Sequence, residues 1–148
     1  MEAYEHLENN EAVLEAFGYW PSFHDGEIHK FILDRTNQTY EGYYSPCVEF
    51  IIHGWEMTSD VNKQGYYKLQ KHHLVHFRFE GVYEVDLDGF NHQNAITSLD
   101  FEVLSKNDKG QMPLSVVINP AWGLGGEFKA LKGQVLSVEP CDSKGTKS

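Results

Sequence analysis

The chain has 148 residues, of which 41% are hydrophobic, and a formal net charge of −10. This length supports one domain with its own core, and this apolar content excludes a disordered chain. The acidity argues against nucleic acid or an anionic membrane as a partner, because phosphate groups are bound by clustered Lys and Arg. No apolar run approaches the ~20 residues of a membrane span, and the charged first residues are unlike a signal peptide. We therefore expect a cytoplasmic protein.

The first seventeen residues have the period of an amphipathic helix. Apolar side chains recur on one face over residues 3–17, although Asn10 interrupts them. Asn9 or Asn10 therefore offers an alternative, as the N-cap of a shorter helix over 10–17, and Gly18 suits the C-terminal end of either helix. The other face carries five glutamates with no basic partner: Glu2, Glu5, Glu8, Glu11 and Glu15. These glutamates are either a simply solvated face or a docking face for a basic partner.

Beyond Gly18 the apolar period becomes that of strands joined by turns. Strands are predicted at residues 28–33, 47–55, 74–79, 83–88, 99–103, 114–118, 127–131 and 134–139. Residues 58–67 are predicted as a polar loop, 91–96 as at most one helical turn, and 107–110 as a hairpin turn. The fold class is therefore α+β, with one N-terminal helix on a curved, mainly antiparallel sheet of about six to eight strands. We predict one domain over residues 1–140 and a short, polar, frayed tail over 141–148.

One loop contains residue types suited to chemistry, His24, Asp25 and Glu27. They could bind a metal or serve a metal-dependent hydrolase, with His72, His73 and His76 as candidates for a second contributing segment. The favoured interpretation is structural: a buried, hydrogen-bonded loop built from Trp20, Pro21, Phe23, His24 and Asp25.

No other motif predicts catalysis or a cofactor. The glycines of residues 123–126 are followed by a predicted strand rather than the helix of a phosphate loop, so we expect a turn between strands. Cys47 and Cys141 lack the spacing of a zinc site or a disulfide framework. We expect neither catalytic residues nor a cofactor.

Three segments of the chain carry a family resemblance. They are residues 17–28 (FGYWPSFHDGEI), 89–96 (GFNHQNAI) and 125–128 (GGEF), the last before 135–140. Together they resemble the bacterial immunity protein 50 family, small cytoplasmic proteins associated with polymorphic toxin and contact-dependent inhibition systems. The resemblance implies neutralisation of a cognate toxin by tight binding, without a cofactor and without catalytic residues to transfer.

The residues themselves are compatible with that role. An acidic inhibitor gains association rate and specificity by steering towards a basic toxin. Contact is predicted at two acidic stretches, Glu8, Glu11 and Glu15, and Glu84, Asp86 and Asp88. Tyr19 and Trp20 are predicted as aromatic anchors, with packing of the helix end onto the sheet as the alternative. A homo-oligomeric scaffold paired through its sheet edge stays open, as do the oligomeric state and the closure of the sheet.

Overall fold

The computed structural model describes residues 1–147, which form a short helical segment and one antiparallel sheet. A 3-10 helix covers Ala3–His6 and one α-helix, α1, covers Glu11–Phe17. The strands are β1 (Glu27–Asp34), β2 (Cys47–Val61), β3 (Tyr67–Glu80), β4 (Tyr83–Asp88), β5 (Ala95–Val103), β6 (Leu114–Trp122), β7 (Gly125–Ala130) and β8 (Lys132–Pro140). The predicted α+β class is confirmed. None of the helices in this part of the chain is long and apolar enough to cross a membrane.

The eight strands lie in the order β4-β7-β6-β5-β1-β2-β3-β8, and all neighbours are antiparallel. The sheet is curved but open, which answers the question that the sequence left unresolved. Its weakest junction is between β5 and β1, which pair only through Glu27 and Ala95. Beyond Glu27 the rest of β1 pairs with β2 alone, so its other side is not covered by β5.

The helical segment is divided rather than continuous. The 3-10 helix ends at His6, where Leu7 is extended, and Asn9 then adopts a left-handed backbone with φ of 60°. The shorter predicted helix is therefore confirmed, and the helix over 3–17 is wrong. Asn10 stands at the predicted cap position, but its Nδ2 donates back to the Leu7 carbonyl at 2.8 Å. Gly18 ends α1 in the left-handed conformation with φ of 85°, as predicted.

The strands that depart furthest from their predicted bounds are β2 and β3. The polar loop expected at 58–67 is instead the outer part of a long β2–β3 hairpin, where Glu56 pairs with Gln70 and Met57 with Leu69. The sequence gives no strand signal here, because these residues are mostly exposed on both faces and apolar and polar positions do not alternate. The residues expected to form a helical turn near 91–96 instead lead into β5 at Ala95.

Aromatic side chains fill the concave face of the sheet. Phe50, Phe77 and Phe79 are buried on β2 and β3, and the curvature brings Phe128 of β7 against Phe79, with ring centroids 5.3 Å apart. Phe17 of α1 meets Phe23 edge-on at 6.2 Å. The helical segment therefore adds its buried side chains, Leu7, Val13 and Phe17, to the core of the sheet.

The two edges of the sheet differ in whether another segment pairs with them. At the β8 edge, the Glu8 amide donates to the Gly133 carbonyl, and the Val135 amide donates to the Glu8 carbonyl. Asn9 adds a bond from its Nδ2 to the Val135 carbonyl. Among residues 1–147 no segment pairs in this way with the outer side of β4. One edge is therefore covered by the N-terminal segment and the other is open.

Residues 141–147, which belong to the segment predicted as a polar tail, form a turn, and Ser148 lies outside the described residues. Cys141 bridges to Lys147, and Asp142 Oδ1 accepts from the amides of Lys144 and Thr146. The Cys141 amide also donates to the His72 carbonyl. These bonds place the turn beside β3.

Candidate partner-binding surface

The loop of residues 20–25 divides into a buried and an exposed half. Pro21 and Phe23 are buried, whereas the side chains of His24 and Asp25 are 60% and 51% exposed. Phe23 and Asp25 both have positive φ. With this backbone, the ring of Phe23 lies in the core while the side chains of His24 and Asp25 face outwards. The prediction that His24 and Asp25 form a buried anchor is therefore wrong, although His24 Nδ1 lies 3.0 Å from the Thr97 carbonyl oxygen.

The metal hypothesis gains no support from this loop. His24 Nε2 lies 3.5 Å from Asp25 Oδ2, while Glu27 Oε1 accepts from Gln93 Nε2 at 3.0 Å. Within residues 1–147, no group of three His, Cys, Asp or Glu side chains is arranged to hold a metal ion. The loop pairs with its neighbours through ordinary hydrogen bonds.

Two of the three segments that carry the family resemblance, residues 17–28 and 89–96, meet at the β1–β5 junction. The Asp25 amide donates to the Ile96 carbonyl, and the Ile96 amide donates back to the Gly26 carbonyl. Asn94 is buried, and its Oδ1 accepts from the amides of Asn91 at 2.9 Å and Leu124 at 3.0 Å. These motifs therefore hold the weakest junction of the sheet together and tie it to the β6–β7 turn.

The two predicted aromatic anchors have different surroundings. Trp20 is partly buried and stacks on Tyr4 with ring centroids 4.6 Å apart, and it meets Phe77 and Phe101 edge-on. It thus packs the helix end onto the sheet, which is the alternative that the sequence left open. Tyr19 is 44% exposed, and Lys71 Nζ lies 5.9 Å from its ring centre. Burial, and then a hydrogen bond to Glu56, raise the pKa of Tyr19.

The two predicted acidic stretches lie at opposite ends of the strand order. Glu8, Glu11 and Glu15 are all exposed, on the segment that runs beside β8. The second stretch, Glu84, Asp86 and Asp88, is exposed on the open edge strand β4. The structure therefore presents two separate acidic surfaces rather than one.

The surface at β4 extends across three further strands. Asp86 lies directly opposite Glu127 on β7, Glu127 lies opposite Val117, and Val117 lies opposite Asp100 on β5. We call this surface the acidic face; its members are Asp86, Asp88, Asp100, Glu102 and Glu127, all exposed. Glu127 and Asp100 were not among the predicted site residues, because their place beside Asp86 follows only from the strand order.

Few basic groups oppose the acidic face. Lys129 is the only Lys or Arg in the sequences of β4, β5, β6 and β7. Its Nζ forms an ion pair with Glu84 Oε2, which also raises the pKa of Lys129 through that hydrogen bond. The carboxylates of the acidic face therefore keep most of their negative potential for an external partner.

An apolar groove of about 430 Å³ adjoins the acidic face. It lies between β1, β4 and the β6–β7 turn, and Asp88 belongs to both surfaces. Its apolar lining is Phe31, Leu33, Leu87, Phe90 and Leu124. Leu33 and Phe90 are 58% and 59% exposed. The sequence did not predict the groove, because its residues come from three distant segments and each one alone has the appearance of a strand or loop residue.

Comparison with known proteins agrees with the resemblance of the motif segments. The family model described as immunity protein 50 matches residues 9–141, which include α1, all eight strands and the β1–β5 junction. No match was found among the curated proteins or among the solved structures. Because the match covers most of the chain, the predicted resemblance is confirmed, and the chain belongs to the immunity protein 50 family.

Proposed function

We propose that this protein neutralises a cognate bacterial toxin by direct protein–protein contact, and that the acidic face is a principal part of the contact. Membership of the immunity protein 50 family supports an immunity function. The observation that carries the finer proposal is the set of five exposed carboxylates on neighbouring strands, whose one nearby lysine is already paired with Glu84.

The arrangement is unfavourable for the isolated fold. Asp86 and Glu127 are direct cross-strand neighbours, and like charges in such pairs destabilise a sheet. A partner with Lys or Arg at this position relieves the repulsion, so the same pair contributes to binding. The acidic face also attracts a basic partner over a distance of about one Debye length, roughly 8 Å at physiological salt. We therefore expect a basic toxin whose association slows as salt is raised.

The glutamates Glu8, Glu11 and Glu15 of the N-terminal segment supply a matched control for the position of the contact. The variant Asp86→Asn/Asp100→Asn/Glu127→Gln and the variant Glu8→Gln/Glu11→Gln/Glu15→Gln each remove three negative charges from exposed positions. Both change the net charge equally, and the second keeps the backbone bonds of Glu8 to β8. A difference between the two variants therefore reports the position of the contact and not the total charge.

The test begins with growth rescue. Toxin domains of the source genome are expressed with and without this protein, and the toxin that it neutralises is purified for stopped-flow binding at low and high salt. We expect the variant at Asp86, Asp100 and Glu127 to associate at least about tenfold more slowly at low salt. The variant at Glu8, Glu11 and Glu15 should stay within about threefold of the wild type. A set of toxins without any rescue contradicts the function. Equal effects of the two variants contradict the assignment to the acidic face.

A further inference from the structure

We propose that the partner docks on β4 as an added β-strand, and that the docking segment is extended and alternates apolar with basic side chains. The inference rests on the proposed function for the identity of the partner as the toxin. It goes beyond that proposal by assigning the conformation of the bound segment, the edge to which it pairs and the side-chain pattern that it needs.

The open edge is the first observation. An edge strand presents unpaired N–H and C=O groups, and proteins usually cover or distort such an edge. This protein covers β8 with Glu8 and Asn9, whereas within residues 1–147 the outer side of β4 has no backbone partner. The edge is irregular only at its start, where Glu84 has φ of 50° and the register with β7 shifts between Tyr83 and Asp86. The part from Asp86 to Asp88 pairs regularly with β7 and is free to template a strand.

The two sides of β4 give the pattern of the segment. Leu87 lines the apolar groove, while Asp86 and Glu127 line a shallow depression on the acidic face. Side chains of an added strand alternate between the same two sides as those of β4. Its apolar residues would therefore enter the groove beside Leu33 and Phe90, and its basic residues would meet the carboxylates. Main-chain bonds supply affinity in this mode, and the alternate side chains supply specificity.

Charge distinguishes this occupant from a second copy of the chain. Two β4 strands paired at their edges would bring Glu84, Asp86 and Asp88 of each copy together without a basic residue between them. Like charges on neighbouring strands are destabilising, so the edge is unsuited to self-pairing. The same charges favour a basic strand.

A synthetic peptide tests the docking mode without the toxin. The probe is a nine-residue peptide of alternating Lys and Val with blocked ends. One matched peptide replaces Lys with Glu, which removes the charge match. The other replaces Val with Ser, which removes the apolar contacts. Binding is followed by amide chemical shifts and by hydrogen exchange of the labelled protein, and the oligomeric state by sedimentation.

Two protein variants make the test specific for the groove. Leu33→Ser/Phe90→Ser changes exposed groove residues, and Leu136→Ser changes an exposed leucine on β8 that is outside the groove. We expect the Lys–Val peptide to protect β4 amides, to bind at least about tenfold more weakly to the groove variant, and to bind the Leu136 variant within about twofold of the wild type. Both matched peptides should bind more weakly than the Lys–Val peptide.

Each other result overturns the docking mode. These results are no binding at millimolar peptide, protection at β8 or α1 instead of β4, equal binding to the groove and Leu136 variants, or a dimer of the free protein paired through β4. Growth rescue separates the two proposals. A protein that rescues growth but fails the peptide test neutralises its toxin by another contact, whereas β4 binding without any rescued toxin leaves the strand site and removes the immunity function.

Discussion

Replacement of Asn94 by alanine should destabilise the protein strongly, because this buried side chain holds the backbone of two loops, one of which contains the groove residue Leu124. Asn94 is only 4% exposed, and its amide makes three hydrogen bonds. Its Oδ1 accepts from the amides of Asn91 and Leu124, and its Nδ2 donates to the Asn91 carbonyl at 2.9 Å. These bonds connect the loop before β5 to the β6–β7 turn at the junction of β1 and β5.

The magnitude follows from the groups that the substitution leaves without partners. Alanine orphans two backbone N–H groups and one carbonyl, and the bond from Leu124 is fully buried. A buried group without a partner costs about 1–3 kcal/mol, and the half-buried groups at Asn91 cost less because water reaches them. The expected loss is therefore about 3 kcal/mol of unfolding free energy. For a chain of this size, that corresponds to a fall in Tm of roughly 10 °C.

The chain contains a closely matched control at Asn107. Its Oδ1 also accepts two backbone bonds, from Lys109 and Gln111, and its Nδ2 donates one bond, to Gln111 Oε1, but the residue is exposed. Water replaces these partners in Asn107→Ala, so we expect a loss below about 1 kcal/mol. Urea unfolding followed by tryptophan fluorescence compares the two variants, with equal m-values required. Similar losses in both variants would refute the argument that burial makes the Asn94 bonds valuable.

Two further predictions concern pH and backbone conformation. Burial, with repulsion from His72 second, lowers the pKa of His53 to about 4, whereas an unfolded histidine titrates near 6.5. The unfolded state therefore binds the proton first as pH falls. The free energy of unfolding should decrease by at most about 3 kcal/mol between about pH 6.5 and pH 4. Urea titrations at each pH should show this decrease in the wild type and not in His53→Asn. Gly123→Ala should cost at least about 3 kcal/mol, because φ is +89° and a Cβ would collide with the Gln93 carbonyl oxygen. Gly110→Ala has a similar φ of +78° but open space around it, so thermal unfolding should show a loss of only about 1 kcal/mol; equal losses would remove the steric explanation.

The sequence predicts the fold well where one face of each element is buried. Apolar alternation places all eight strands, since the core-facing residues of β3, such as Val75 and Phe77, alternate with half-buried polar ones. The signal fails in the outer hairpin of β2 and β3, where both faces are exposed and backbone pairing continues without a core. The prediction of the long helix fails for the opposite reason, because the pattern is present where the structure is not helical. Its apolar period continues across Asn9, but the bonds of Glu8 and Asn9 to β8 break the helix there.

The candidate surface is less accessible to sequence reasoning. The acidic run of β4 is visible as Glu84, Asp86 and Asp88, but Glu127 and Asp100 join it only through the order β4-β7-β6-β5. The groove depends on the divergence of β1 from β5, which no local pattern encodes. Conversely, the segments around Phe23 and Asn94 that carry the family resemblance are visible in the sequence, and the structure brings both to the β1–β5 junction.

Because β8 is the last strand in the chain, the sheet cannot be completed until late in translation. Strand β3 pairs with β8 on one side, and residues 81–131 must be translated between the two strands. Until β8 emerges, the outer edge of β3 is bare and the backbone of Glu8 lacks its partners at Gly133 and Val135. While residues 81–131 are being translated, the nascent chain therefore carries an unfinished sheet that is vulnerable to pairing with neighbouring chains. Slow decoding of residues 81–131 should increase aggregation of newly made protein without changing the stability of the finished molecule.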